Sequence, residues 1–144
     1  MFIRTNKKSN YPLKMELIDN KNCFVCGKEN KIGLKLDYEI EDRKFKAEFI
    51  PKPELQGFKD IVHGGIVTTL LDEAMVNLAY KLKLNAVTKT ITVNLKKPTV
   101  VGHKYNLSGE IVEEQEKIIK AKATLKDQNN ELVAEAESIL VKLK

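Results

Sequence analysis

Between residues 64 and 84 the apolar residues come in pairs. Ile66/Val67, Leu70/Leu71, Ala74/Met75 and Leu78/Ala79 follow one another at four-residue intervals, and Leu82 continues the series. At ~100° per residue, a four-residue repeat drifts by ~40° per step, so the apolar stripe winds around a helix instead of marking one face. A helix apolar over most of its circumference has to be buried. It is expected to start at Gly64-Gly65 and to end near Lys83 or Leu84.

The rest of the chain reads as strands that could wrap it. Leu34, Leu36, Tyr38 and Ile40 alternate with charged residues, and Phe45, Ala47 and Phe49 do the same after a turn near Glu41-Asp42. Pro51, Pro53 and Gly57 break the periodicity, so residues 51–62 form a loop. Beyond the helix, Ile91, Val93 and Leu95 alternate until Pro98. Tyr105, Leu107, Gly109 and Ile111 make the next strand, and Ile119, Ala121, Ala123 and Leu125 another, closed by the turn Asp127-Gln128-Asn129-Asn130. The last segment fits two templates. Leu132, Val133, Ala136, Ile139, Leu140 and Leu143 share a helical face, whereas Ile139, Val141 and Leu143 continue a strand, which the neighbouring hairpins favour. The order predicts an α+β fold, with an antiparallel sheet of five to six strands wrapped around one long central helix. Residues 1–22, polar and carrying Pro12, read as an arm, and 23–144 as the domain.

Composition narrows the functional classes. A chain of 144 residues, 42% hydrophobic, is sized for one domain with a sizeable core. No apolar run reaches the ~20 residues that span a bilayer, so no membrane partner is expected. Met1 to Lys8 lack the apolar stretch of a secretory signal, which makes the cytoplasm the expected location. The net charge is +5, but the lysines are spread along the chain, and aromatic residues are only 6%. Without an Arg-rich block or stacking platform, nucleic acid is not an expected partner. A mild positive field does suit a polyanionic small molecule such as a nucleotide or coenzyme A. There is no phosphate-binding glycine loop, dinucleotide fingerprint or serine nucleophile elbow.

Three groups remain that carry chemistry. Asp72 and Glu73 sit mid-helix between apolar pairs. On the pattern alone they fit a solvated edge, but a carboxylate desolvated there would suit general-base or nucleophilic work. Neighbours on a helix point ~100° apart, so the two cannot face one pocket equally. His63-Gly64-Gly65 marks the loop-to-helix junction, where unpaired N–H groups and the positive end of the dipole meet a backbone without Cβ atoms. An oxyanion site needs such a place. Cys23-x-x-Cys26 is a single pair, with only His63 and His103 as nitrogen partners for a four-ligand zinc site. Two reduced cysteines packing a tight turn is the simpler reading, and no metal is expected.

Taken together, His63-Gly64-Gly65 and Leu70-Leu71-Asp72-Glu73-Ala74-Met75 resemble the hotdog-fold acyl-CoA thioesterases, specifically the PaaI-like group of the 4-hydroxybenzoyl-CoA thioesterase superfamily. Cys23-Phe24-Val25-Cys26-Gly27, with Asn30 and Gly33-Leu34, is similar to the N-terminal element of one branch, and Thr88 to Pro98 to the strand after the helix. The resemblance implies hydrolysis of a coenzyme A thioester without a cofactor. It makes Asp72, nine residues after His63, the general base or nucleophile. The Gly64 N–H would polarise the thioester carbonyl, His63 would orient the loop or substrate, and Gly65 would line the substrate site. Thr88 falls where some relatives place a hydroxyl that positions the water, although its alternation parity is opposite to that of Ile91 and Val93. Relatives often carry a side-chain amide or acid six or seven residues before the histidine, places held here by Gly57 and Gln56, of which Gln56 would supply the amide. Glu73 is left as a supporting or surface acid, and Lys96, Lys97 or Lys104 as partners for the phosphates of coenzyme A. The resemblance also implies a homodimer or a homotetramer built as a dimer of dimers, with active sites at the subunit boundary. A non-catalytic acyl-CoA-binding or regulatory protein is the alternative.

Overall fold

A computed structural model describes residues 16–143. Of the expected arm at 1–22, residues 1–15 lie outside the described residues. The strands are β1 (Tyr38–Glu41), β2 (Lys44–Phe49), β3 (Ala86–Leu95), β4 (Tyr105–Glu114), β5 (Ile118–Lys126) and β6 (Leu132–Lys142), and the helix is α1 (Gly64–Lys81). All six strands form one antiparallel sheet in the order β1-β2-β4-β5-β6-β3. The final segment, ambiguous in the sequence, is the strand β6, held between β5 and β3. The interior position explains its alanines: Ala134 and Ala136 face the core with Ser138 and Leu140, where bulkier side chains would push the helix away.

The helix is buried as its periodicity requires. Val67, Leu70, Leu71, Glu73, Ala74, Met75, Leu78 and Ala79 are all buried, and they pack on Phe45, Leu107, Ala121, Leu125 and Leu140 from four strands. The closest approach is at Gly109 of β4, where a Cβ atom would lie 2.1 Å from the Ala74 carbonyl oxygen. Glycine is therefore required for the helix backbone to rest directly on the sheet. The helix ends at Lys81, two or three residues earlier than expected. Lys83 takes a left-handed φ of 67°, while its N–H donates to the Tyr80 carbonyl and the Leu84 N–H to the Ala79 carbonyl. These are the two bonds of a Schellman terminus, here built without the usual glycine.

The first strand is shorter than the alternation predicts. Leu34 and Leu36 do not join the sheet; their N–H groups donate to the carbonyls of Phe24 and Val25 at 2.8 Å each. The left-handed φ of Lys35, 50°, ends the strand geometry between them. The β1–β2 hairpin closes through Asp42 and Arg43, both at positive φ, as a two-residue primed turn requires. Among the described residues, no helix is long and apolar enough to cross a membrane.

Gly109→Ala is expected to cost ~3 kcal/mol, the upper end for overpacking, because the obstacle is backbone and not a flexible side chain. Urea denaturation of the folded protein measures it.

Candidate active site

The loop before α1 is shaped by backbone bonds. Gly57 N–H donates to the Ile61 carbonyl and His63 N–H to the Leu55 carbonyl, each at 2.8 Å. His63 then caps the helix. Its Nδ1 accepts from the Gly65 N–H at 2.9 Å, and its carbonyl accepts from Ile66 and Val67. With Nδ1 an acceptor, the neutral imidazole carries its proton on Nε2. Gly64, the first helical residue, is left as the odd one out: its N–H finds no acceptor among the described residues. It lines a largely apolar cleft of about 370 Å³ with Phe58, Ile61, Leu95 and Pro98. A residue whose donor has unspent capacity thus lines a concave, mainly apolar surface at the positive end of the helix dipole.

Asp72 lies two turns further along, half-buried, and its Oδ1 accepts a hydrogen bond from Thr88 Oγ1 at 2.7 Å. Simple alternation put Thr88 on the wrong face of β3. A β-bulge explains the discrepancy: Thr88 pairs with Leu140 and Thr90 with Ile139, so Lys89 is an extra residue. Past it, Ile91 pairs with Ser138 and Val93 with Ala136. Leu140, Ser138 and Ala136 are all buried, and therefore Thr88, Ile91 and Val93 share the inner face. The inserted residue reverses the parity, and the hydroxyl reaches the carboxylate.

The two carboxylates point to different places. Glu73, left by the sequence between a supporting and a surface role, is buried at 6% exposure. Its Oε2 lies 3.7 Å from Cys23 Sγ. Burial raises its pKa from the ordinary 4.5, the thiols of Cys26 and Cys23 pull it back, and Asp72 and Asp19 raise it again. The Cys26 thiol is in turn pushed well up, first by burial and then by Glu73. Neither histidine accompanies the cysteine pair; a helix carboxylate does. The resemblance singles out Asp72 by its spacing from His63, and nothing in the sequence brings Glu73 to the cysteines.

Other expectations fall unevenly. Gln56 is exposed, and its Oε1 accepts from the Asp60 N–H at 2.9 Å, so its amide braces the loop and does not line the cleft. Lys96 and Lys97 line the cleft, paired with Glu135 and Glu131, whereas Lys104 pairs with Glu48 away from it. Phe58, 85% exposed, and Ile61 both line the cleft, apolar residues within the loop that the sequence pattern does not single out.

A model of the thioesterase superfamily matches residues 59–134, more than half of the chain and both halves of this site. The chain belongs to the thioesterase superfamily. Solved structures agree on the architecture. A crystallised thioesterase superfamily protein superposes with a TM-score of 0.81 at 17% identity, covering 94% of this chain and 71% of its own. A hypothetical thioesterase from Streptococcus pneumoniae, solved with coenzyme A, gives 0.70 at 18% identity over 74% and 84% of the two chains. The E. coli PaaI protein from the phenylacetic acid degradation operon gives 0.71 at 16% identity over 76% and 84%. No curated protein sequence matches significantly. This thioesterase therefore has the hotdog fold, with the sheet as the bun and α1 as its filling.

In this thioesterase the His63 cap holds the Gly64 N–H in place. His63→Ala is expected to cost ~1 kcal/mol of stability, the usual loss for removing a side-chain acceptor at a helix start, read by chemical denaturation.

Proposed function

We propose that this thioesterase hydrolyses an acyl-CoA to free acid and coenzyme A, with the Asp72–Thr88 pair as the hydrolytic centre. The observation that carries the reading is the 2.7 Å bond from Thr88 Oγ1 to Asp72 Oδ1. It occupies one carboxylate oxygen and leaves the other to take a proton from water. As the water oxygen bonds to the thioester carbon, the carbonyl oxygen gains charge and the Gly64 N–H receives it. The C–S bond then breaks, and the departing thiolate takes the proton held by Asp72. Removing an oxyanion donor of this kind costs ~2.7–4 kcal/mol in the barrier.

One chain cannot assemble that arrangement. Gly64 and Asp72 are eight residues apart on α1, about 12 Å along the axis at ~1.5 Å per residue. A base and an oxyanion donor acting on one carbonyl through one water need to lie within roughly 8 Å. The reading therefore pairs Gly64 of one chain with Asp72 and Thr88 of another, in a homodimer. Strand β3 supports this, since it is an edge of the sheet and carries Thr88 at one end and the cleft residue Leu95, half exposed, at the other. His63 and Gly65 shape the donor's loop. The coenzyme A in the S. pneumoniae relative supports the carrier, and Lys96 and Lys97 at the cleft supply charge for its phosphates.

Thiol release from short, medium, long and aryl acyl-CoAs tests the activity. Asp72→Asn is expected to lose ~10²–10⁴-fold in kcat, the range for general acid–base groups. Thr88→Ala should lose less, because it positions and does not transfer the proton. Binding of acyl-CoA without turnover by the wild type, or full turnover by Asp72→Asn, would contradict the reading.

A further inference from the structure

We propose that Cys23, Cys26 and Glu73 form a binding site for a thiophilic divalent cation of the zinc class, separate from the hydrolytic centre. The two sulfurs and a Glu73 oxygen all lie within 4.8 Å of one another. A tetrahedral ion with ~2.3 Å bonds to sulfur and ~2.0–2.2 Å bonds to oxygen sets its ligands about 3.5–3.8 Å apart. The 3.7 Å from Cys23 Sγ to Glu73 Oε2 already matches such an edge.

The backbone is built to bring the sulfurs together. Gly27 N–H donates to the Cys23 carbonyl at 2.9 Å, which folds the Cys-x-x-Cys turn back on itself. A Cβ on Gly27 would stand 2.4 Å from Cys23 N and 2.6 Å from the carbonyl oxygens of Cys23 and Lys21. Only glycine fits behind this turn. The bonds from Leu34 and Leu36 to Phe24 and Val25 brace the turn from the other side.

Glu73 is the independent observation. It is a carboxylate buried to 6% exposure on a helix whose other buried residues are all apolar, and among the described residues its hydrogen-bond partner is a thiol. Asp72 and Asp19 add negative charge nearby. The geometry, two sulfurs and one carboxylate oxygen gathered around a common point, is that of a cation's ligand set. Cys23 and Cys26 are half-exposed, which gives the ion an entry path.

The donor set selects the metal. Two thiolates favour zinc-class ions over magnesium or calcium, which take oxygen ligands. Binding displaces one proton from each thiol, and both thiolates bond to the ion beside the Glu73 carboxylate. Asn77, one turn along from Glu73, places its Nδ2 4.0 Å from Cys26 Sγ; water would complete the fourth position. The ion would pin the Cys23–Leu36 segment to α1, one residue from Asp72.

Cobalt and zinc titrations of the chelator-stripped, reduced full chain test this directly. One equivalent of Co²⁺ should produce thiolate-to-cobalt charge-transfer absorption, and one equivalent of Zn²⁺ should abolish it and protect both thiols from alkylation. Glu73→Gln should weaken cobalt binding at least ~10-fold, and Cys26→Ser should remove the charge-transfer band or cut it to that of a single thiolate. If the wild type gives no such band and zinc leaves both thiols reactive, the site does not exist. Unchanged cobalt affinity in Glu73→Gln would remove the carboxylate from it. Because neither readout uses turnover, the result stands whatever the outcome of the acyl-CoA assays.

Discussion

Everything in this fold depends on the helix backbone resting against the sheet at Gly109. The absent Cβ lets the Ala74 carbonyl approach β4 as closely as backbone allows. The small residues around it follow from the same demand: Ala121, Ala123 and Ala136 keep neighbouring strands low where α1 crosses them. A helix seated this deep has little free surface. Its polar residues are therefore placed by the packing, and each is directed to a specific partner.

Asp72 and Glu73 show the consequence. Adjacent on α1, they diverge by ~100°, so the same seating turns one toward the bulged start of β3 and the other toward the cysteine turn. Asp72 meets a hydroxyl at one oxygen, and its other oxygen has no partner among the described residues. Glu73 meets two thiols in a buried setting. The helix start supplies the complementary charge, with the Gly64 N–H left over after His63 has capped its neighbours. The chemistry proposed for this thioesterase separates these parts along one helix and rejoins them across two chains.

Much of this was legible in the residues. The four-residue apolar pairs of α1 and the alternation of β2, β4 and β5 declared a buried helix within an antiparallel sheet, because burial leaves a period. His63, Gly64, Asp72 and Thr88 stand out through resemblance and position. What stayed hidden has a common cause, in that it depends on departures from regular geometry. The bulge at Lys89 reverses the parity of Thr88, the left-handed Lys35 cuts β1 short, and Lys83 ends α1 early. No periodicity announces a single residue that leaves the pattern. The meeting of Glu73 with Cys23 and Cys26 is hidden for a different reason, since it joins segments about fifty residues apart and is decided only by tertiary packing.

The central claim is that the oxyanion donor and the base come from different chains, and complementation between two inactive variants tests it most directly. Gly64→Pro removes the N–H, and its added Cβ would meet only the end of the flexible Leu95 side chain, at 3.0 Å. Proline is accommodated at the first helical position, and His63 already has the extended ψ of 131° that precedes it. Mixed with Asp72→Asn under subunit exchange at equal amounts, the pair should recover about a quarter of wild-type turnover, since half the dimers are mixed and each holds one intact site. Recovery near that level would place the active site between chains. Full exchange of subunits with no recovered activity would contradict the account.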